Sequence, residues 1–393
     1  MRRPSCGKPS PSTMITCDRR RCLSPQYHLY IGGGGTAVLF RGPREPSCLM
    51  ILLRAHSNVA STEMDGGTRN HLVVIASVIC FFGLIDVFWI PFSTVAFSTK
   101  NWFDLGQIAI SLITAWAIAR FALKRVGSDT KPMALTLRYL SKLSIMLVSA
   151  AVAFIPLTVA TSVFMYLATA TARPLLDDQL ASLDAKLGFD WLGFLAASNK
   201  SAVWSSVLFW AYHALGPQVP IVLCLHLIRL RQDRVFEFIA LMAVSSLFTG
   251  PLMAIFPTAG AYAFYKPAPE LFSHLTAQAG MWHYSTLLSL RSGAPYDLIV
   301  ANAEGLVTFP SFHTALGILV VYALRDIRPL FVAALIVNAV MIVSTLPEGG
   351  HHLVDVIVGA AIGLLSVAIV RRLSMGASAA RLEAGTSRSP RAT

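Results

Sequence analysis

Residues 349–372 read GGHHLVDVIVGAAIGLLSVAIVRR. A glycine pair and polar residues lead into an apolar run, 353–370, which stops at Arg371 and Arg372. A helix crosses the hydrocarbon of a bilayer with about 20 residues, within a range of roughly 17 to 25. The run fits that window. It reads as a membrane span with His351, His352 and Asp355 at its entry and two cations at its exit. A second corner resembles the first: FPSFH, 309–313, places His313 where a loop meets another apolar run.

The rest of the chain fits a bilayer as well. It is 55% hydrophobic and only 13% charged, with a mean hydropathy of +0.61. Soluble domains are about one quarter charged. Seven further apolar runs stand at 71–96, 105–123, 143–168, 203–228, 236–262, 312–324 and 330–346. The expectation is an all-α integral membrane protein of about eight transmembrane helices. Pro217 and Pro220 in the fourth span and Pro251 in the fifth predict kinks, which bundles tolerate when neighbours satisfy the freed carbonyls.

The net charge of +12 does not point to nucleic acid, because the basic residues gather in short stretches between apolar runs and carry no nucleic-acid signature. Arg120 to Lys142, Arg229 to Arg234, Arg325 with Arg328, and Arg371 with Arg372 all fall on one side of an eight-span chain. The positive-inside rule makes that side cytoplasmic. The opposite connections, 97–104, 169–202, 266–310 and 347–352, then face the periplasm or exterior of a cell inner (plasma) membrane. Within 169–202, Leu176, Leu180, Leu183 and Leu187 have helical spacing. Two readings stay open there: a helix lying flat at the interface, or a plain capped helix outside the membrane.

Composition divides the chain into a head (1–63), first helices (64–170), a core (171–372) and a tail (373–393). The head is rich in Pro, Ser, Arg and Gly and lacks a signal-peptide pattern. It reads as disordered or as a mis-assigned extension ahead of Met64. The tail reads as a disordered cytoplasmic segment. Cys6, Cys17, Cys22 and Cys48 lie in the head, and Cys80 and Cys224 in apolar runs. They form no disulfide framework and no metal-ligand pattern. No metal and no organic cofactor is expected.

His351 and Asp355 are four apart, so on a helix they share a face. The carboxylate can fix one ring nitrogen and leave the other free to attack, and histidine is a competent covalent nucleophile. His313 can act as a general acid. Pro310 suits a helix start, and Ser311 can cap that helix or donate to a phosphoryl oxygen. Arg291 supplies a planar donor fork suited to phosphate.

These residues resemble the type 2 phosphatidic acid phosphatase superfamily, which also contains vanadium haloperoxidases. The family's second motif, Pro-Ser-Gly-His, resembles Pro310-Ser311-Phe312-His313. Its third, Ser-Arg-x5-His-x3-Asp, resembles 344–355, with Ser344, His351 and Asp355 in register and Thr345 in place of arginine. Its first, Lys-x6-Arg-Pro, is not intact, and Arg291 in Leu290-Arg291-Ser292-Gly293 is the best match for its phosphate-binding arginine. These departures, together with 183–191 (LDAKLGFDW) and 304–309 (EGLVTF), resemble the inositol phosphorylceramide synthase-like branch.

The resemblance implies a helical-bundle phosphatase core. It implies that His351 is the nucleophile forming a phosphohistidine, that Asp355 orients it and that His313 protonates the leaving group. Arg291 and Ser311 would hold the phosphate. The implied activity is a metal-independent lipid phosphatase or head-group phosphotransferase in lipid metabolism. Its substrate would be a lipid phosphate ester or pyrophosphate in the bilayer, with water or a hydroxyl acceptor such as a polyol or glycan as second partner. The rival reading is a polytopic transporter or flippase, but the sequence carries no internal repeat of the kind such folds show.

Overall fold

A computed structural model describes residues 28–31, 37–40, 66–276 and 278–386. The chain divides into two compact units, 1–55 and 56–393. In the first, β1 (His28–Ile31) pairs antiparallel with β2 (Ala37–Phe40), His28 opposite Phe40. The expectations for the rest of the head, for Met64 and for the end of the tail lie outside the described residues.

The second unit is mostly helical. Its first part comprises α1 (Gly66–Trp89), β3 (Val95–Phe97), α2 (Thr99–Val126) and α3 (Pro132–Ala170). Two short helices follow, α4 (Asp177–Lys186) and α5 (Trp191–Asn199). Then come α6 (Ala202–His213), α7 (Leu215–Ile228) and α8 (Gln232–Ile255). The next connection holds α9 (Ala261–Tyr265), α10 (Gln278–Met281), α11 (Tyr284–Arg291) and β4 (Tyr296–Leu298). The chain closes with α12 (Phe312–Ala323), α13 (Arg328–Ser344) and α14 (Leu353–Thr386). The last helix runs on well past residue 373, where composition placed the start of a disordered tail.

Among the described residues, five helices are long and apolar enough to cross a bilayer: Gly66–Phe92, Thr99–Val126, Pro132–Ala170, Gln232–Ile255 and Leu353–Met375. The pair α6 and α7, bent by 42°, makes a sixth if taken as one span. The bend has a local cause. Pro217 has no N–H to give the carbonyl of His213, four residues back. The sixth and seventh expected spans are helices, α12 below the crossing range and α13 at its lower edge. At about 1.5 Å per residue, the 12 residues of α12 and 17 of α13 reach roughly 18 and 26 Å against about 30 Å of hydrocarbon. The architecture is thus multi-spanning, with five or six full-length candidates among the described residues.

The main core is built by Ile75, Phe82, Leu157, Phe236, Leu241 and Leu319, which joins α1, α3, α8 and α12. Outward faces are apolar too. Ile110, Ile113, Ile118 and Phe121 of α2 are all more than 60% exposed, which a hydrocarbon surrounding tolerates and water does not. At one end of the bundle, β3 pairs in parallel with β4, Val95 opposite Tyr296, and Ala261 N–H donates to Gly350 O at 2.8 Å. At the other, Glu237 pairs with both Arg234 and Arg325 at 2.7 Å, and Tyr139 hydroxyl donates to Ile228 O. The polar connections and the basic clusters therefore collect at different ends.

The leucine spacing of 176–187 does produce a helix, but the leucine stripe is not its packing face. Leu183 and Leu187 are exposed, whereas Asp177 and Asp184 are buried along with Leu180. Those carboxylates accept from the backbone N–H groups of Ala259, Gly260, Leu353 and Val354.

Candidate active site

The turn 344–355 is closed by its own backbone. Glu348 N–H donates to Ser344 O at 2.9 Å, and His351 N–H donates to Thr345 O at 3.1 Å. Gly350 makes the reversal with a φ of +68°, in the left-handed region that glycine enters without strain. A side chain there would also strike the Tyr262 ring, 2.9 Å from where its Cβ would stand.

His351 and His352 precede α14 rather than lying on its face. His351 Nδ1 is 3.3 Å from Asp355 Oδ2, and the same oxygen accepts from His352 N–H at 2.9 Å. An acid in the first turn thus reaches back to the residue before the helix, as in a capping box. Asp184 of α4 supplies the rest of the cap, accepting from Leu353 N–H at 2.9 Å and Val354 N–H at 3.0 Å. His351 and Asp355 are 3% and 0% exposed, so their interaction is shielded from water.

His313 lies in the first turn of α12. Its ring centroid is 6.4 Å from that of His351, with planes at 59°. Tyr212 stacks on its other side at 4.8 Å. Ser311 N–H donates to Asp355 O at 3.0 Å and its side chain caps α12 by accepting from Thr314 N–H, so this serine ties the start of α12 to the first turn of α14. A hydroxyl used as an acceptor keeps its own hydrogen to donate.

Arg291 is not joined to the histidines by any hydrogen bond or ion pair among the described residues. It ends α11, donates to Arg173 O at 2.7 Å and lines a small recess with Thr258, Thr308 and Phe309. Gly260 lies between that recess and the histidine loop, with Thr308 on one side and Gly350 O on the other.

Several neighbours carried no usable signal in the sequence. Trp191 Nε1–H donates to His351 O at 3.1 Å. His283 is buried beside His351, and burial, then the charge of His351, lowers its pKa. Glu348 is fully buried, accepts from the Thr276 hydroxyl and stands 4.0 Å from His213. His352 sits between Asp177 and Asp184 at ion-pair distance. Only the 183–191 stretch hinted at this: Asp184 and Trp191, which both hold the turn, belong to it.

A cavity of about 200 Å³ opens beside His313. Phe82 of α1, Phe164 of α3 and Met253 of α8 wall it, and Thr161 and Thr249 put hydroxyls along it. The Thr249 hydroxyl has no partner among the described residues. Also among the described residues, no three His, Cys, Asp or Glu side chains gather so as to hold a metal ion.

Against known proteins, residues 178–369 match the PAP2 superfamily, the type 2 phosphatidic acid phosphatase group, so a domain of that superfamily is present over this span. The match contains both histidine corners and the buried His351–Asp355 pair. No curated protein and no solved structure matches the chain.

Proposed function

We propose that the chain is a membrane enzyme that moves a phosphoryl group from a lipid phosphate ester or pyrophosphate, through a phosphohistidine on His351, to water or to the hydroxyl of a polyol or glycan. The observation that carries this is the buried His351–Asp355 pair facing His313 inside a PAP2-superfamily domain. Asp355 holds Nδ1 as a donor and leaves Nε2 as the nucleophile.

In the first step Nε2 bonds to phosphorus, the bond from phosphorus to the leaving oxygen breaks, and His313 gives that oxygen a proton. In the second, His313 takes a proton from water or an alcohol as its oxygen attacks phosphorus and the N–P bond breaks. Ser311 and Arg291 donate to the phosphate oxygens. No step calls for a metal or an organic cofactor.

The cavity supports a lipid substrate: it is apolar, opens among the helices and ends at His313. With α12 and α13 counted as crossings of a thinned bundle, the chain crosses eight times. The basic end then faces the cytoplasm and the histidines face the periplasm or exterior of the plasma membrane. The altered motifs favour a branch resembling the inositol phosphorylceramide synthases.

Purified protein in detergent, offered a panel of radiolabelled lipid phosphates and pyrophosphates, tests the reading. Acid-labile, alkali-stable label on the protein that disappears in His351→Ala is the expected result. Turnover that survives His351→Ala overturns it.

A further inference from the structure

His352 has no part in those two steps, yet it is fully buried and faces a carboxylate at each ring nitrogen. Nε2 is 3.5 Å from Asp177 Oδ1 and Nδ1 is 3.6 Å from Asp184 Oδ2. A neutral imidazole has one N–H and one lone pair. A lone pair aimed at a buried carboxylate repels it, so only the doubly protonated ring suits both sides. Each carboxylate also binds main chain: Asp177 takes the N–H groups of Ala259 and Gly260, both at 2.9 Å, and Asp184 takes those of Leu353 and Val354. The charged and titratable groups around the ring are Asp177 and Asp184 from α4, Asp355 from α14, Tyr265 from α9 and the adjoining His351.

We propose that His352, as an imidazolium between Asp177 and Asp184, is a positioning residue for phosphoryl transfer: it locks the first turn of α14 against α4 and so fixes the approach of His351 to phosphorus. It touches neither substrate nor reacting atoms. The inference rests on His351 and Asp355 being the reacting pair. The cation neutralises two buried anions that would otherwise repel each other across the turn. Burial works against the charge on His352, but the side chains of Asp177 and Asp184 outweigh it and raise the pKa from 6.5 to about 9.

His352→Gln keeps a polar side chain and removes the charge. Phosphoenzyme formation is expected to slow on the order of 10²-fold, the scale of a small misplacement of reacting groups, with KM for the lipid phosphate nearly unchanged. In the wild type the rate falls as pH rises through about 9. Asp177→Asn leaves one carboxylate and moves that alkaline limb to lower pH, and His352→Gln lacks the limb. An unchanged rate and limb in His352→Gln overturns the proposal, and so does an unmoved limb in Asp177→Asn. The Asp177→Asn profile decides the matter if His352→Gln does not fold. An inert wild type overturns the phosphoryl-transfer reading and the positioning role with it. Melting of the substrate-free protein against pH then tests the ion pair alone: a midpoint that drops across about pH 9 in wild type but not in Asp177→Asn supports it, and parallel curves overturn it.

Discussion

His351 Nδ1 lies 3.3 Å from Asp355 Oδ2, while the other oxygen of that carboxylate has no hydrogen-bond partner among the described residues. The acid is thus committed on one side to the histidine turn and has unspent capacity on the other. In the proposed reaction such a carboxylate would orient the ring and offset the positive charge that grows on it as Nε2 bonds to phosphorus.

Asp355→Asn keeps the shape and the acceptor for His352 N–H but loses the charge. Turnover should fall by roughly 10⁴-fold, the scale of losing an orienting carboxylate behind a histidine. Circular dichroism of the purified variant should stay that of the wild type. A loss below tenfold in single-turnover assays would remove Asp355 from the reaction.

His313→Ala should slow transfer by about 10²- to 10⁴-fold on substrates with poor leaving groups. The loss should shrink on an aryl phosphate, whose leaving oxygen needs no proton. Equal losses on both would show that the ring does not act as the acid.

Filling the cavity beside His313 should change substrate preference. Ser246 lines it, and Ser246→Phe is expected to lower the ratio of kcat/KM between long-chain and short-chain lipid phosphates. A ratio equal to the wild-type value would mean the chain of the substrate lies elsewhere.

His283 gives an acid-side test. Its folded pKa is lowered by burial and by His351, so the fold favours the neutral ring. That contribution is present above the unfolded value of about 6.5 and is lost as pH falls through the depressed folded value. The melting temperature of the wild type should fall more steeply below pH 6.5 than that of His283→Gln. Parallel acid branches would refute the assignment.

Arg291→Ala should reduce kcat/KM about 10- to 100-fold if the guanidinium reaches the phosphate, and Arg291→Lys should recover only part of this, because the planar fork is lost. If Arg291→Ala turns over normally, its bond to Arg173 O is the whole of its role.

Much of this was legible in the residues. The apolar runs fixed the helices because a chain in hydrocarbon must satisfy its own backbone. The basic clusters sorted the connections to two ends, since Arg234 and Arg325 do meet at Glu237, far along the helices from His313. The i, i+4 spacing brought His351 to Asp355, but by a capping turn and not a helix face, because Gly350 reverses the chain just before α14. Helix lengths were less readable: hydropathy marks an apolar run but does not show where a cap such as Ser311 will start it. Partners distant in sequence were illegible. Nothing in Leu176, Leu180, Leu183 and Leu187 says that Asp184 between them will bond to Leu353, 169 residues later.

The parallel pairing of Val95–Phe97 with Tyr296–Leu298 has a consequence for modularity. The superfamily segment, 178–369, borrows a strand partner from the hundred residues before it and one wall of its cavity, Phe82 and Phe164, from the same source. A chain cut at residue 178 would lose that strand partner and that wall together, so the segment is not a detachable module in this fold.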